Sequence, residues 1–73
     1  MATEVYAPLQ GKVVRFLVEK GAQVEEDEPI LEIEALKMKM PVAAPCDGVI
    51  TKYCVKAGQE IARDAVLAII GEP

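Results

Sequence analysis

The stretch Glu34-Ala35-Leu36-Lys37-Met38-Lys39-Met40 lies between two halves of the chain that resemble each other. Pairing each residue n with residue n+37, without a gap, aligns 3–34 with 40–71 and gives eight identical pairs. The pairs are Val5/Val42, Ala7/Ala44, Pro8/Pro45, Gly11/Gly48, Val18/Val55, Gly21/Gly58, Asp27/Asp64 and Ile33/Ile70. An internal repeat of this kind indicates two related structural units. We therefore expect the unpaired residues 35–39 to connect them, with Lys37 at the midpoint as the candidate functional residue.

Each half consists of short β-rich segments separated by turns that contain glycine and proline. In the first half, 12–18 is dense in β-branched and aromatic residues, and 30–34 alternates between apolar and acidic residues. The corresponding segments of the second half are 49–55 and 66–70. Gly48 precedes a strand, and we expect it to occupy a turn conformation reserved for glycine. Such strands, spaced by turns, predict an all-β sandwich or flattened barrel built from two related four-strand units.

Two local features of this assignment leave alternatives. Val13 and Val18 have opposite parity along one strand, so both are buried only if a β-bulge lies between them. Residues 59–69 have fair helix propensity. A strand is favoured there because the equivalent stretch of the first half contains Pro29 and a cluster of acids. We expect a single domain over residues 1–73 with an approximate two-fold axis near its midpoint.

Composition excludes several classes of function. A net charge of −4 and a pI near 4.7 oppose binding to nucleic acid or to an anionic membrane surface, which both require clustered Lys and Arg. No apolar run approaches membrane-spanning length, and the N-terminus lacks the features of a signal peptide. The acidic run 25–28 is interpreted as a solvated turn, with a recognition patch for a partner as the alternative.

The two cysteines, Cys46 and Cys54, form neither a disulfide framework nor a metal site, since the chain has no histidine and no Cys-x-x-Cys spacing. They replace Leu9 and Leu17 of the first half, so we expect small apolar core residues with free thiols. Free thiols indicate a reducing compartment, namely the cytoplasm or the mitochondrial matrix. No nucleophile–base pair or phosphate-binding glycine loop is evident, so the chain is not expected to be an enzyme by itself.

A tight hairpin between the flanking strands would place Leu36 and Lys37 at its corner, without a Gly or Asn to accommodate a positive φ. Leu36, Met38 and Met40 surround the lysine with apolar side chains, which are unusual at a projecting turn. One interpretation is an amine held out for partner enzymes, with Leu36 and Met38 as their contact surface. The other is an ordinary exposed lysine beside residues that fold back onto the core.

The motif Glu34-Ala35-Leu36-Lys37-Met38 resembles the biotin-attachment motif Glu-Ala-Met-Lys-Met of biotinyl domains, the biotin carboxyl carrier modules of biotin-dependent carboxylases, transcarboxylases and decarboxylases. The chain is similar to this family along most of its length. The positions that carry the likeness outside the motif are Ala7, Pro8, Gly11, Val18, Gly21, Ala44, Pro45, Gly48, Val55 and Gly58. The resemblance implies a flattened antiparallel β-barrel of two four-stranded sheets, a barrel-sandwich hybrid, with the modified lysine on a hairpin opposite the termini.

The same resemblance implies that a biotin protein ligase attaches biotin to Lys37, with Glu34, Ala35, Leu36 and Met38 as flanking recognition residues. The biotin would then carry an activated carboxyl group from a biotin carboxylase to a carboxyltransferase. Two residues depart from the usual pattern, since Leu36 replaces a Met and Lys39 adds a second amine; the midpoint of the repeat selects Lys37. The ungapped repeat leaves no space for the thumb loop of many bacterial carriers, so the chain is more similar to thumbless domains. A lipoyl carrier and an unmodified interaction module of the same fold are the alternatives.

Overall fold

The computed structural model describes residues 2–73, which form eight β-strands and no helix. The strands are β1 (Thr3–Tyr6), β2 (Gly11–Phe16), β3 (Gln23–Val24), β4 (Pro29–Ala35), β5 (Met38–Ala43), β6 (Gly48–Tyr53), β7 (Glu60–Ile61) and β8 (Val66–Gly71). They form two antiparallel four-stranded sheets, ordered β1-β8-β6-β3 and β5-β4-β2-β7. The body is elongated, with extents of 34 × 17 × 16 Å. The predicted flattened barrel of two four-stranded sheets is confirmed.

The two sheets are related by an internal pseudo-two-fold axis, because their registers repeat with an offset of 37 residues. Lys12 lies opposite Glu34 between β2 and β4, and Val49 lies opposite Gly71 between β6 and β8. A bulge interrupts β2 after Val13, and an equivalent bulge interrupts β6 after Ile50. Each bulge shifts the side-chain parity by one residue, so Val13 is buried while Val18 also packs against the core.

Backbone hydrogen bonds between the halves follow the same symmetry. The Gly21 N–H donates to the Ile50 carbonyl at 2.7 Å, and the Gly58 N–H donates to the Val13 carbonyl at 2.7 Å. Both glycines have a positive φ, of 91° and 87°, which residues with a side chain rarely adopt. Each glycine turn therefore connects one half to the bulged strand of the other half.

The core is aliphatic and lies between the two sheets. Its most completely buried large side chains are Ile30, Leu31, Ile33, Ile50, Leu67, Ile70, Val13 and Val24. Burying each such side chain contributes about 1.5–3 kcal/mol, so the apolar strand faces dominate the stability. Phe16 and its repeat partner Tyr53 stack with their ring centroids 4.2 Å apart, which places this pair near the pseudo-two-fold axis. The Tyr53 hydroxyl lies within hydrogen-bonding distance of the carbonyls of Val18 (2.8 Å) and Ile30 (3.2 Å), in the other half.

Four local expectations are corrected by the structure. Strand β2 ends at Phe16 instead of residue 18, because the chain turns after the bulge. The hairpin loop is two residues long instead of five, since Ala35 and Met38 are paired strand residues. Cys54 is exposed and fills no core position, whereas Cys46 is half-buried against the core; both thiols are free. Gly48 begins β6 without a positive φ, so space is the reason for glycine there.

Candidate functional site

The hairpin between β4 and β5 has only two loop residues, Leu36 and Lys37. Both adopt left-handed backbone conformations, with φ of 54° and 64°. Two consecutive positive φ values are typical of a type I′ turn, the two-residue turn that matches the twist of a β-hairpin. For residues with a Cβ, each left-handed conformation costs about 1–2 kcal/mol, and Asn or Gly would reduce that cost. The sequence therefore retains an unfavourable turn at this position, as the hairpin pattern predicted.

Side chains at the hairpin divide between the core and solvent. Ala35 is 3% exposed and anchors the end of β4, whereas Leu36 is 86% exposed and Met38 is 67% exposed. Lys37 is also exposed. Large apolar side chains that are exposed close together on a turn are unfavourable in water and favourable for contact with a partner. The alternative in which these residues fold back onto the core is wrong for Leu36 and Met38.

Lys39 occupies a different position from Lys37, although both amines are exposed. It is a strand residue of β5 and lies opposite Glu34 of β4. An opposite charge directly across an antiparallel pair is a stabilising neighbour for a lysine. Lys37 lies beyond the last paired residues, Ala35 and Met38. Of the two amines, Lys37 therefore projects farther from the sheet.

Two shallow depressions flank the hairpin and bring residues from three strands and their turns to this end of the barrel. One lies between the hairpin and β7 and is lined by Gln10, Gly11, Lys12, Glu34, Lys37, Glu60, Ile61 and Ala62. The other adjoins Leu36 and Arg63. We call these residues together with the hairpin the hairpin end. Its charged lining residues include both signs, with Lys12, Lys37 and Arg63 beside Glu34 and Glu60.

The opposite end of the barrel is related to the hairpin end by the pseudo-two-fold axis and contains the C-terminus. Its depression is lined by Gln23, Val24, Glu25, Glu28, Asp47 and Pro73. The terminal end is defined as these residues together with 26–27 and 71–72. Among its described residues no Lys or Arg occurs. The run 25–28 is a turn in which the Glu26 N–H donates to Asp47 Oδ1 at 2.7 Å.

Only part of this site was identified from the sequence. Glu34, Ala35, Leu36, Lys37 and Met38 are brought together by the hairpin itself, and Ala35 faces the core. Lys12, Glu60 and Arg63 were not identified, because the pairing of β2 with both β4 and β7 brings them here. The duplication is the signal that could have identified these residues. It makes β7 equivalent to β3 and β2 equivalent to β6, so the pairing of β3 with β6 in one half predicts the pairing of β7 with β2 in the other.

Two other features are absent from residues 2–73. No group of three or more His, Cys, Asp or Glu side chains is arranged to hold a metal ion in this part of the chain. Over the same residues, no helix has the length and apolar character needed to cross a membrane.

Comparison with known proteins identifies the family. Residues 3–70 match a family model described as "Biotin-requiring enzyme", of the biotin/lipoyl group. The chain belongs to the biotin/lipoyl-attachment family. The resemblance that we drew from the hairpin motif and the repeat is thereby confirmed.

Within the biotin/lipoyl-attachment family, similar proteins are carboxylase components. The α subunit of mitochondrial methylcrotonoyl-CoA carboxylase from Oryza sativa subsp. japonica is 41% identical over 68 residues, covering 93% of this chain and 9% of that protein. The biotin carboxyl carrier protein of acetyl-CoA carboxylase from Solanum lycopersicum is 40% identical over 57 residues, covering 78% of this chain and 81% of that protein.

A solved structure is similar over almost the whole chain. The urea carboxylase of Kluyveromyces lactis matches with a TM-score of 0.93 and 27% identity, covering 97% of this chain and 6% of that one. The chain thus spans about a tenth or less of the length of the first carboxylase subunits and of the structure that it matches.

Proposed function

We propose that this chain is a biotin carboxyl carrier domain over residues 1–73 and that Lys37 is its attachment residue. The observation that supports this proposal most is the position of Lys37, exposed in a left-handed two-residue hairpin at one end of a barrel of the biotin/lipoyl-attachment family. A carrier requires an amine that is held away from the body of the domain and that more than one enzyme can reach.

The Lys37 amine suits covalent attachment of biotin. A biotin protein ligase would join the biotin carboxyl group to the AMP part of ATP, with release of pyrophosphate. The Lys37 Nζ, after losing its proton to solvent, would then displace AMP to form an amide. The reaction removes the positive charge of the side chain, so the formal net charge changes from −4 to −5. Leu36 and Met38, together with Glu34, provide the surface that the ligase recognises, whereas Ala35 is buried and supports the turn from the core side.

The domain contributes binding and orientation to the carboxylation cycle, while the partner enzymes carry out the bond chemistry. When attached to Lys37, biotin would supply the ureido ring on which a carboxyl group is carried between a biotin carboxylase and a carboxyltransferase. The stiff hairpin holds the attachment point outside the barrel, and the aliphatic core keeps the barrel rigid while the arm moves. A carrier that is fused or tightly bound to both enzymes keeps the arm at a high effective concentration at each site.

The proposed location is a reducing compartment, either the cytoplasm or the mitochondrial matrix. Both cysteines are free, and the rice relative is named as a mitochondrial protein.

Intact mass spectrometry of the full chain, before and after incubation with ligase, ATP and biotin, tests the proposal. We expect one biotinyl adduct on the wild type and on Lys39→Arg, and none on Lys37→Arg. Both variants should keep the wild-type melting temperature, since exposed substitutions usually change stability by about 0.5 kcal/mol or less. Labelling of Lys37→Arg would move the site to another lysine. A lipoyl adduct on the purified chain before incubation would support the lipoyl carrier. No adduct under any condition would support the unmodified interaction module.

A further inference from the structure

The hairpin that carries Lys37 lies directly against Gly11, the first residue of β2. An added Cβ at Gly11 would overlap the Glu34 carbonyl oxygen, and it would lie 3.1 Å from the Glu34 carbonyl carbon and 3.3 Å from the Ala35 Cβ. Glu34 and Ala35 are the last two residues of β4 before the turn. The close approach of β2 to this backbone therefore depends on the absence of a side chain at residue 11.

The requirement at Gly11 is one of space. Gly11 is not among the residues with a positive φ, so another residue could adopt its backbone conformation. Substitution would instead require the Glu34–Ala35 backbone to move. The two-residue turn has no additional residue to absorb such a movement, so a displacement of Ala35 is transmitted to Leu36 and Lys37.

We propose that Gly11 is a positioning residue for Lys37. By allowing β2 to approach the end of β4, it fixes the direction in which the hairpin presents the lysine amine. The inference depends on the proposed role of Lys37 as the attachment residue. A misplacement of reacting groups by about 1 Å can reduce a rate by about a hundredfold, so a small shift of the hairpin is sufficient to impair modification.

The pseudo-two-fold axis provides a matched control at the other end of the barrel. Gly48 occupies the position equivalent to Gly11, and an added Cβ there would overlap the Gly71 carbonyl oxygen and the Ile70 side chain. Gly48 is buried and Gly11 is partly exposed, so an alanine at Gly48 should destabilise the fold at least as much. Gly48 is paired with Val24 of the terminal end, away from the hairpin.

The experiment compares Gly11→Ala with Gly48→Ala in the full chain. Steady-state biotinylation is measured with a biotin protein ligase, ATP and biotin, and thermal unfolding is measured in parallel. For Gly11→Ala we expect kcat/KM to fall by about tenfold or more, mainly through kcat. For Gly48→Ala we expect kcat/KM to stay within about twofold of wild type, because its distant site acts independently. Amide resonances of Leu36 and Lys37 should shift in Gly11→Ala only, with no ligase present.

Several outcomes would overturn the inference. Equal labelling rates in the two variants would show that Gly11 has only a structural role, and so would an unfolded Gly11→Ala beside a folded Gly48→Ala.

If neither variant folds, both are repeated in trimethylamine N-oxide, which favours the folded state. If both still fail, Ala35→Gly loosens the same contact without adding an atom, and an unchanged Lys37 amide resonance would overturn the inference.

Failure of the proposed function gives a different result. In that case wild-type Lys37 is not labelled at all, while the amide resonances still report whether Gly11 positions the hairpin.

Discussion

The hairpin end and the terminal end of the barrel have the same backbone architecture, yet their residues differ in charge and in strain. At the hairpin end, Leu36 and Lys37 are held in left-handed conformations and basic and acidic side chains are mixed. At the terminal end Asp27 is also left-handed, with φ of 71°, but Asp tolerates this conformation better than Leu or Lys. At the terminal end the charged residues that line the depression are all acidic, and Glu26 replaces Arg63 of the other half. Duplication thus supplied two equivalent ends, and the proposed attachment residue, Lys37, lies at one of them.

The difference separates what the fold requires from what function requires. Features found in both halves, such as the bulges and the close strand contacts at Gly11 and Gly48, belong to the shared architecture. The contact at Gly11 differs from its copy in what it supports, which is the end of β4 before the turn that holds Lys37. The turn residues Leu36 and Lys37 have no counterpart in the repeat. Residues that the repeated fold requires are expected in both halves. The residues without a counterpart are therefore the better indicators of function. The following predictions test this division, in order of decreasing effect.

Gly48→Val tests the shared architecture and should have the largest effect. Its side chain would overlap the Gly71 carbonyl and the Ile70 side chain, so the free energy of unfolding should fall by about 3 kcal/mol or more. Urea unfolding followed by circular dichroism measures the loss. Gly58→Ala is the comparison variant: an added Cβ there meets nothing within 4 Å, and only the positive φ of 87° is unfavourable. It should cost about 1 kcal/mol, and equal losses would contradict the role of space at Gly48.

Leu36→Asn tests the strain of the hairpin end. Asn tolerates the left-handed conformation better than Leu, so the substitution should stabilise the domain by about 1 kcal/mol. For a domain of this size, that gain raises the melting temperature by about 4–8 °C. Met38→Asn is the control, because Met38 is also exposed but is not in a left-handed conformation. A lower melting temperature for Leu36→Asn would show that this turn is not strained.

Tyr53→Phe tests the contact that joins the halves near the axis. Loss of the hydrogen bonds to the Val18 and Ile30 carbonyls should cost about 1 kcal/mol at pH 7. Burial raises the pKa of Tyr53 above its ordinary value of 10.0, so the folded state holds this proton more tightly than the unfolded state. Its contribution is complete below pH 10 and is lost as the pH rises through the folded-state pKa. The difference between wild type and variant should therefore narrow above pH 10, and a constant difference would contradict this assignment.

Glu26→Arg copies the charge of Arg63 onto the terminal end and should have the smallest effect. It reduces repulsion within the acidic run 25–28 and leaves the backbone hydrogen bond from Glu26 to Asp47 available. The expected gain is about 0.5 kcal/mol at low ionic strength, and it should disappear in 1 M salt. Thermal unfolding at the two salt concentrations measures it. A gain that persists in 1 M salt would show that it does not arise from relief of repulsion between the acidic side chains.

The sequence predicted most of the fold because the duplication restricts it strongly. Once 3–34 and 40–71 are aligned, each strand assignment is supported by its copy, and the helical alternative for 59–69 is rejected correctly. The length of β2 and the exposure of Cys54 were predicted incorrectly. They depend on the bulges in β2 and β6 respectively, which change the side chains that face the core and the point at which the chain leaves the sheet.

The candidate site was predicted in part for a similar reason. The hairpin residues are consecutive in the chain, so their proximity follows from sequence alone. Gly11, Lys12, Glu60 and Arg63 reach the hairpin through strand pairing over long separations. No local pattern encodes these neighbours, since each lies in a turn or strand end that is ordinary by itself.

The sequence by itself determined the all-β class, the two-fold repeat and the lysine at its midpoint, because hydrophobic alternation, turn residues and self-similarity are properties of the chain order. Only the tertiary structure decided that the loop has two residues in left-handed conformations and that Gly11 leaves space for the Glu34 carbonyl. These features depend on register and on contact between distant strands. They are therefore fixed by the packing of the two halves against each other.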